Sequence, residues 1–234
     1  MKEEKKQATL YLVRHGETDW NAEGRIQGRV DRHLNEKGRQ QARQVGELLS
    51  SMRADAIYAS TLSRARQTAE IIASFQNCSL AYDPDLQEAA YGSLEGMLTT
   101  EFRAHFKEAL EKSQALHADH FHHFKVVPDA ESRAEILKRV LPSLQRIALA
   151  HPGQTVFVVT HGFVMRAIAG HLYKIDDREI HVPNLGIMVL EGSSQLRASS
   201  SASIDLGAFS VQSSASTTQA AGGNAALQSK SHPA

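Results

Sequence analysis

Apolar residues fall along this chain in two rhythms: short continuous runs, and longer stretches with an apolar position every three or four residues. Residues 9–13, rich in β-branched and aromatic side chains and followed closely by Gly16, predict a buried strand. Residues 54–60 and 80–82 predict two further strands. Residues 155–160 are apolar at almost every position, in the manner of a strand covered on both faces of a parallel sheet. Residues 184–191 supply a last strand. Between them lie helical patterns. Asn35 is an N-cap for a helix whose apolar face is Val45, Leu48, Leu49 and Met52. A second helix turns Ile71, Ile72 and Phe75 inward. A third carries Ile136, Leu137, Val140, Leu141, Leu144 and Ile147, with Pro142 expected to kink it. A fourth carries Phe163, Val164, Ile168 and Leu172. Strands alternating with helices predict an α/β three-layer sandwich, with a mainly parallel central sheet and helices on both faces.

The candidate chemistry sits where strands end. Arg14-His15-Gly16 follows the first strand, at the edge where α/β sheets bind ligands. An imidazole beside a guanidinium suits attack on a dianion, because the arginine holds the anion and keeps the histidine neutral and nucleophilic. His161-Gly162 follows the 155–160 strand and opens a helix, again an anion site. Arg64 lies in the first turn of the helix after the second strand. Glu88 lies in a loop of two glycines and several carboxylates. Composition narrows the partners: 26 basic side chains balance 26 acidic ones, which argues against a polyanion such as nucleic acid. The charged N-terminus leads into the first strand without an apolar signal segment, and no run reaches membrane-spanning length. The single cysteine, Cys78, forms no internal disulfide and reads as a packed side chain, so a cytoplasmic protein is expected.

Five blocks carry a resemblance. The opening Arg14-His15-Gly16-Glu17-Thr18-Asp19-Trp20-Asn21, with the turn Ile26-Gln27-Gly28, is similar to the first signature of the histidine phosphatase superfamily, which includes the phosphoglycerate mutases. Ser60-x-x-x-Arg64-Ala65-x-Gln67-Thr68 is similar to its second. Leu86-x-Glu88 with Gly92, Glu95 and Gly96 resembles its third. Pro128-Asp129-Ala130-Glu131-Ser132 resembles a further turn with alanine in place of glycine, and Val158-Val159-Thr160-His161-Gly162 resembles the last signature. The resemblance covers residues 9–191 and implies a catalytic domain over 1–191 with a helical cap insertion at about 97–127. It implies His15 as nucleophile, Glu88 as general acid and base, and Arg14, Arg64 and His161 as the groups that hold the phosphoryl oxygens. Asn21, Gln27, Gly28 and Gly162 complete the implied phosphate site. Neither metal nor cofactor is implied, because the arginines and the second histidine supply the charge. Arg66, at the variable position between Ala65 and Gln67 of the second signature, reads as a surface residue. Gln87 and Ala89 depart from the family's usual residues.

The reading is a phosphomonoesterase acting through phosphohistidine on a small phosphorylated metabolite. Two alternatives stand beside it: a 2,3-bisphosphoglycerate-dependent phosphoglycerate mutase and a non-catalytic phosphate-binding module. Against the mutase, Ile26-Gln27-Gly28-Arg29 departs from the mutases' Phe-Thr-Gly-Trp, and the insertion lacks their arginine pair, which would leave the pocket mouth poor in cations. Residues 99–124 read as helical and carry His105, His117, His120, His122 and His123, whose spacing allows a metal site that no carboxylate cluster completes. From residue 192 onward about half the residues are Ser or Ala, a composition expected to stay disordered, with 204–206 and 209–211 as a marginal strand.

Overall fold

The computed structural model describes residues 6–116, 118–174, 180–193, 195–198 and 210–211. Its centre is a six-stranded sheet in the order β3-β2-β4-β1-β6-β7. Strands β1 (Ala8–Arg14), β2 (Ala56–Ala59), β3 (Ser79–Tyr82) and β4 (Thr155–Thr160) run parallel, while β6 (Ile187–Gly192) and β7 (Leu196–Ala198) are antiparallel. The register pairs Arg14 with Thr160, so His15 and His161 leave adjacent strands side by side.

Two packed layers cover the sheet, and the strands' alternation assigns them. Leu10, Leu12, Val156 and Val158 meet α7 (Arg133–Ala150) and α8 (Gly162–Tyr173) on one face. Val13, Ile57, Phe157 and Val159 meet α2 (Glu36–Leu49) and α3 (Ser63–Ala73) on the other. This is the expected three-layer α/β sandwich. Asn35 caps α2 by accepting from the Gly38 amide at 2.7 Å. Ser132 caps α7 in a reciprocal box with Glu135. Helix α7 continues through Pro142, where a kink was expected.

Two apolar faces differ from the expected ones. Leu48 is 45% exposed and Phe75 39% exposed, whereas the buried stripe of α2 is Gly38, Ala42, Gly46 and Leu49. The stripe is made of small residues: a Cβ on Gly46 would stand 2.6 Å from Cδ2 of Phe75, just past α3, and 3.4 Å from Ile72 Cα, so a side chain there would displace the Phe75 ring. A scan for bulky apolar residues passes over such a stripe.

The insertion is helical, but it forms three short pieces: α4 (Thr99–His105), α5 (Lys107–Gln114) and α6 (Ala118–His123). His117 lies outside the described residues. Among the described residues no three His, Cys, Asp or Glu side chains converge on a metal position. The sheet runs past residue 191, because Leu196–Ala198 pairs with β6 and Leu196 is buried. Of the marginal strand, Ser210–Val211 forms β8, antiparallel to β5 (Ile180–His181). Residues 204–206 lie outside the described residues. No helix among the described residues is long and apolar enough to cross a membrane.

Candidate active site

Two histidines face each other at the C-terminal edge of the sheet, their ring centres 5.1 Å apart. Both are buried, and their hydrogen bonds are complementary. His15 Nδ1 lies 2.7 Å from the carbonyl of Gly16, an acceptor, so Nδ1 carries the proton and Nε2 keeps its lone pair. Arg64 Nε donates to that Nε2 at 3.2 Å, which agrees with the assignment. His161 is held the other way round. Its Nε2 lies 2.8 Å from Ser60 Oγ; that hydroxyl accepts the Leu62 amide and has no other acceptor for its proton among the described residues, which assigns the proton to a bond with His161 Nε2. The proton of His161 is then on Nδ1, which is buried and without a partner among the described residues. Burial first, and then the neighbouring Arg64 and Arg14, push both histidines well below the ordinary range, with His15 adding to the effect on His161. Both rings are therefore neutral at pH 7: one offers a lone pair and the other an N–H.

The two arginines are fixed by backbone oxygens. Arg64, fully buried, donates to the carbonyls of Gly28 at 2.7 Å and Val30 at 3.0 Å. Burial lowers its guanidinium to about 10, with Glu88 opposing, so it remains charged. Arg14 donates to Val182 O at 2.6 Å and leaves Nε buried and unpartnered. Gly162 stands beside it: a Cβ there would lie 3.1 Å from Arg14 Nε. Gly28 has φ +55°, and a Cβ on it would overlap the Glu95 carboxylate. That carboxylate in turn accepts the amides of Arg29 and Tyr91, which holds the 26–29 turn against the 88–96 loop.

Glu88 reaches the same space from its loop. Its carboxylate accepts the Ala89 amide at 2.9 Å and the Phe163 amide at 3.2 Å, the latter in the first turn of α8. Arg139 holds the loop from beneath, donating to the carbonyls of Asp85, Gln87 and Glu88 and pairing with Glu131. The resulting cavity of about 390 Å³ is lined by every implied site residue except His161: Arg14, His15, Asn21, Gln27, Gly28, Arg64, Glu88 and Gly162. His161 sits directly behind it against His15. Gln27 Oε1, like Arg14 Nε and His161 Nδ1, is buried without a partner. Of these, Arg14 Nε and His161 Nδ1 are the donors, and with two guanidinium groups beside the His15 imidazole they fit a tetrahedral oxyanion.

The chain matches the histidine phosphatase superfamily (branch 1) over residues 10–201. It belongs to that superfamily. A metal-independent phosphoserine phosphatase of Arabidopsis thaliana is 39% identical over 173 residues, 72% of this chain and 70% of the relative. A probable phosphoglycerate mutase of Salmonella arizonae is 35% identical over 185 residues, 76% and 82% of the two chains. A solved phosphoserine phosphatase from Entamoeba histolytica, in complex with phosphoserine, superposes with a TM-score of 0.68 at 26% identity, covering 82% of this chain and 95% of that one. The present chain is a phosphatase of this superfamily.

Other site residues of this histidine phosphatase escaped the sequence reading. Asn184 donates to His15 O at 2.9 Å, and Thr68 accepts the Gly16 amide while donating to Arg64 O. Ser60 and Thr68 were quoted in a signature without a role, and Asn184 only opened the last strand. Arg25, Arg103 and Arg166 also line the cavity, with His181. The mouth is thus cationic, contrary to the expectation from the missing arginine pair. The cations come from three separate segments, which no contiguous motif could reveal. Gln87 and Ala89 face away, Gln87 bonded to Thr61 and Ala89 buried. Arg66 is on the surface, over the Tyr82 ring.

Proposed function

We propose that the enzyme is a metal-independent phosphomonoesterase that works through phosphohistidine on a small phosphorylated metabolite. The observation that carries this reading is one cavity lined by His15, Arg14, Arg64 and Glu88, with His161 packed against His15. His15 Nε2 attacks phosphorus and forms an N–P bond as the ester P–O bond breaks; Glu88 gives its proton to the departing alcohol oxygen. Water, losing a proton to Glu88, then attacks the phosphohistidine, and inorganic phosphate leaves as the N–P electron pair returns to His15. Arg14, Arg64 and the His161 Nδ1–H hold the equatorial oxygens, so charge that a metal supplies elsewhere comes from side chains. In the resting site His161 contributes a hydrogen bond and not a charge, since its ring is neutral. Asn21, Gln27, Gly28 and Gly162 shape the phosphate bay. The single cysteine keeps the cytoplasmic reading in place.

The test is rapid quenching of enzyme mixed with a phosphate-labelled ester. The expected result is acid-labile, base-stable label on His15, with turnover unaffected by chelator. Turnover without such label, or a metal-reversible loss on chelation, would sink the mechanism. The cationic mouth favours one second reading, a mutase that returns the phosphoryl group to a bisphosphorylated ligand. Efficient isomerisation of 3-phosphoglycerate with 2,3-bisphosphoglycerate present, and negligible phosphate release, would decide for it.

A further inference from the structure

A second cavity of about 410 Å³ opens beneath the helical insertion and shares Tyr91, Phe102, Arg103, Phe163 and Arg166 with the phosphate bay. Its inner wall adds Leu110, Phe121 and Phe124. A half-open, largely apolar cleft of this size has the dimensions of a small-molecule site. The charges around it are unequally committed. Lys125 pairs with Glu135 at 2.8 Å, and Glu131 is engaged by Arg29 and Arg139. Arg103 and Arg166, on the wall between the two cavities, have no carboxylate within ion-pair distance among the described residues. Arg166 also leaves a buried Nε without a partner, while its guanidinium lies 4.9 Å from the Phe163 ring centre. Arg103 is exposed and Arg166 half-buried, so Arg166, with its buried Nε a free donor, is the cation that lacks an anion.

We propose that this second cavity is the leaving-group compartment and that the preferred substrates are amphiphilic phosphomonoesters carrying a second anionic group. The phosphate occupies the bay at His15. The second anion, a carboxylate or another phosphate on the alcohol part, lies between Arg103 and Arg166. The aromatic or apolar remainder lies among Phe102, Phe121 and Phe124. This inference rests on the phosphatase reading above and narrows its substrate class. Bidentate guanidinium groups discriminate strongly against a substrate lacking the anion, because the site's donors are then left unpaired. The aromatic wall discriminates more weakly, by burial alone.

Three esters test it with the full chain: O-phosphoserine, N-benzoyl-O-phosphoserine and N-benzoyl-O-phosphoserinamide. The benzoyl ester should exceed O-phosphoserine in kcat/KM by about tenfold or more, and the amide should fall below the benzoyl ester by at least that factor. Leu110→Trp, which fills the second cavity away from the phosphate, should remove the benzoyl advantage and leave O-phosphoserine hydrolysis unchanged. Arg166→Met should erase the difference between benzoyl ester and amide. Equal or lower kcat/KM for the benzoyl ester overturns the compartment. An Arg166→Met loss that is uniform over the three esters overturns the anion assignment. Hydrolysis of none of them, with p-nitrophenyl phosphate also inert, overturns the phosphatase reading itself; p-nitrophenyl phosphate turnover with all three inert overturns only the substrate class.

Discussion

The ends of β1 and β4 are the same structural position occupied twice, yet they present opposite imidazole faces. At β1 the following carbonyl, Gly16 O, accepts from Nδ1–H and leaves the Nε2 lone pair at the bay, where Arg64 Nε donates to it. At β4 a hydroxyl from the next strand along, Ser60, takes Nε2 and leaves the Nδ1–H open. The residue type therefore does not decide the role. The neighbour bonded to the inner nitrogen does, and it converts one histidine into a lone-pair donor and the other into a hydrogen-bond donor.

The largest effect should come from breaking the β1 side. His15→Ala is expected to lower phosphomonoester turnover by at least about four orders of magnitude, with any remainder owed to binding and electrostatics. Steady-state kinetics at saturating ester reads this directly, and turnover within a factor of about ten of wild type is incompatible with covalent catalysis. Next comes the β4 side. His161→Ala removes one donor to the transferring group and should cost about 10² to 10³ in kcat while acid-labile labelling of His15 persists. Loss of labelling would assign His161 a larger part than donation.

A sharper probe leaves both rings in place. Ser60→Ala withdraws the hydroxyl that holds His161 Nε2, so the Nδ1–H form loses its preference; kcat should drop by about tenfold. Nitrogen NMR of the imidazoles should show His161 changing tautomer while His15 does not. An unchanged His161 spectrum would mean that something other than Ser60 sets it.

The smallest effect concerns stability. Both histidines lie below their unfolded value of about 6.5. The unfolded chain thus takes up protons on acidification before the folded protein does. Their contribution is fully present above about pH 6.5 and is lost as the pH falls below it. The melting temperature should decline between pH 7.5 and 5.5, and a His15→Gln, His161→Gln double variant should flatten that decline. An equal slope in the variant would place the acid sensitivity elsewhere.

Much of this was legible in the sequence. The strands are continuous runs and the chemistry follows them at once, so His15 and His161 could be placed at one sheet edge without coordinates. The residues proposed to bind phosphate lie in contiguous signatures for the same reason. What was not legible depends on contacts between distant segments. The tautomers are fixed by Gly16 and Ser60, one adjacent and one 101 positions away. The cationic mouth gathers Arg25, Arg103 and Arg166 from a turn, the insertion and α8. The buried face of α2 runs through glycines that carry no hydropathy signal.

The loop that presents Glu88 has only two single-turn 3₁₀ segments as regular structure, yet it is tied like a core element. One guanidinium, Arg139, donates to three of its carbonyls; Glu131 accepts the Ala90 amide through its side chain and donates its own amide to Ala90 O. Opening this segment requires breaking Arg139 from α7 and Glu131 from its turn together, so it cannot fray residue by residue. Its amides at Ala89 and Ala90 are therefore expected to exchange with solvent deuterium as slowly as those of the sheet, which hydrogen-exchange mass spectrometry reads directly; a loop tied in this way opens with the interior and not before it.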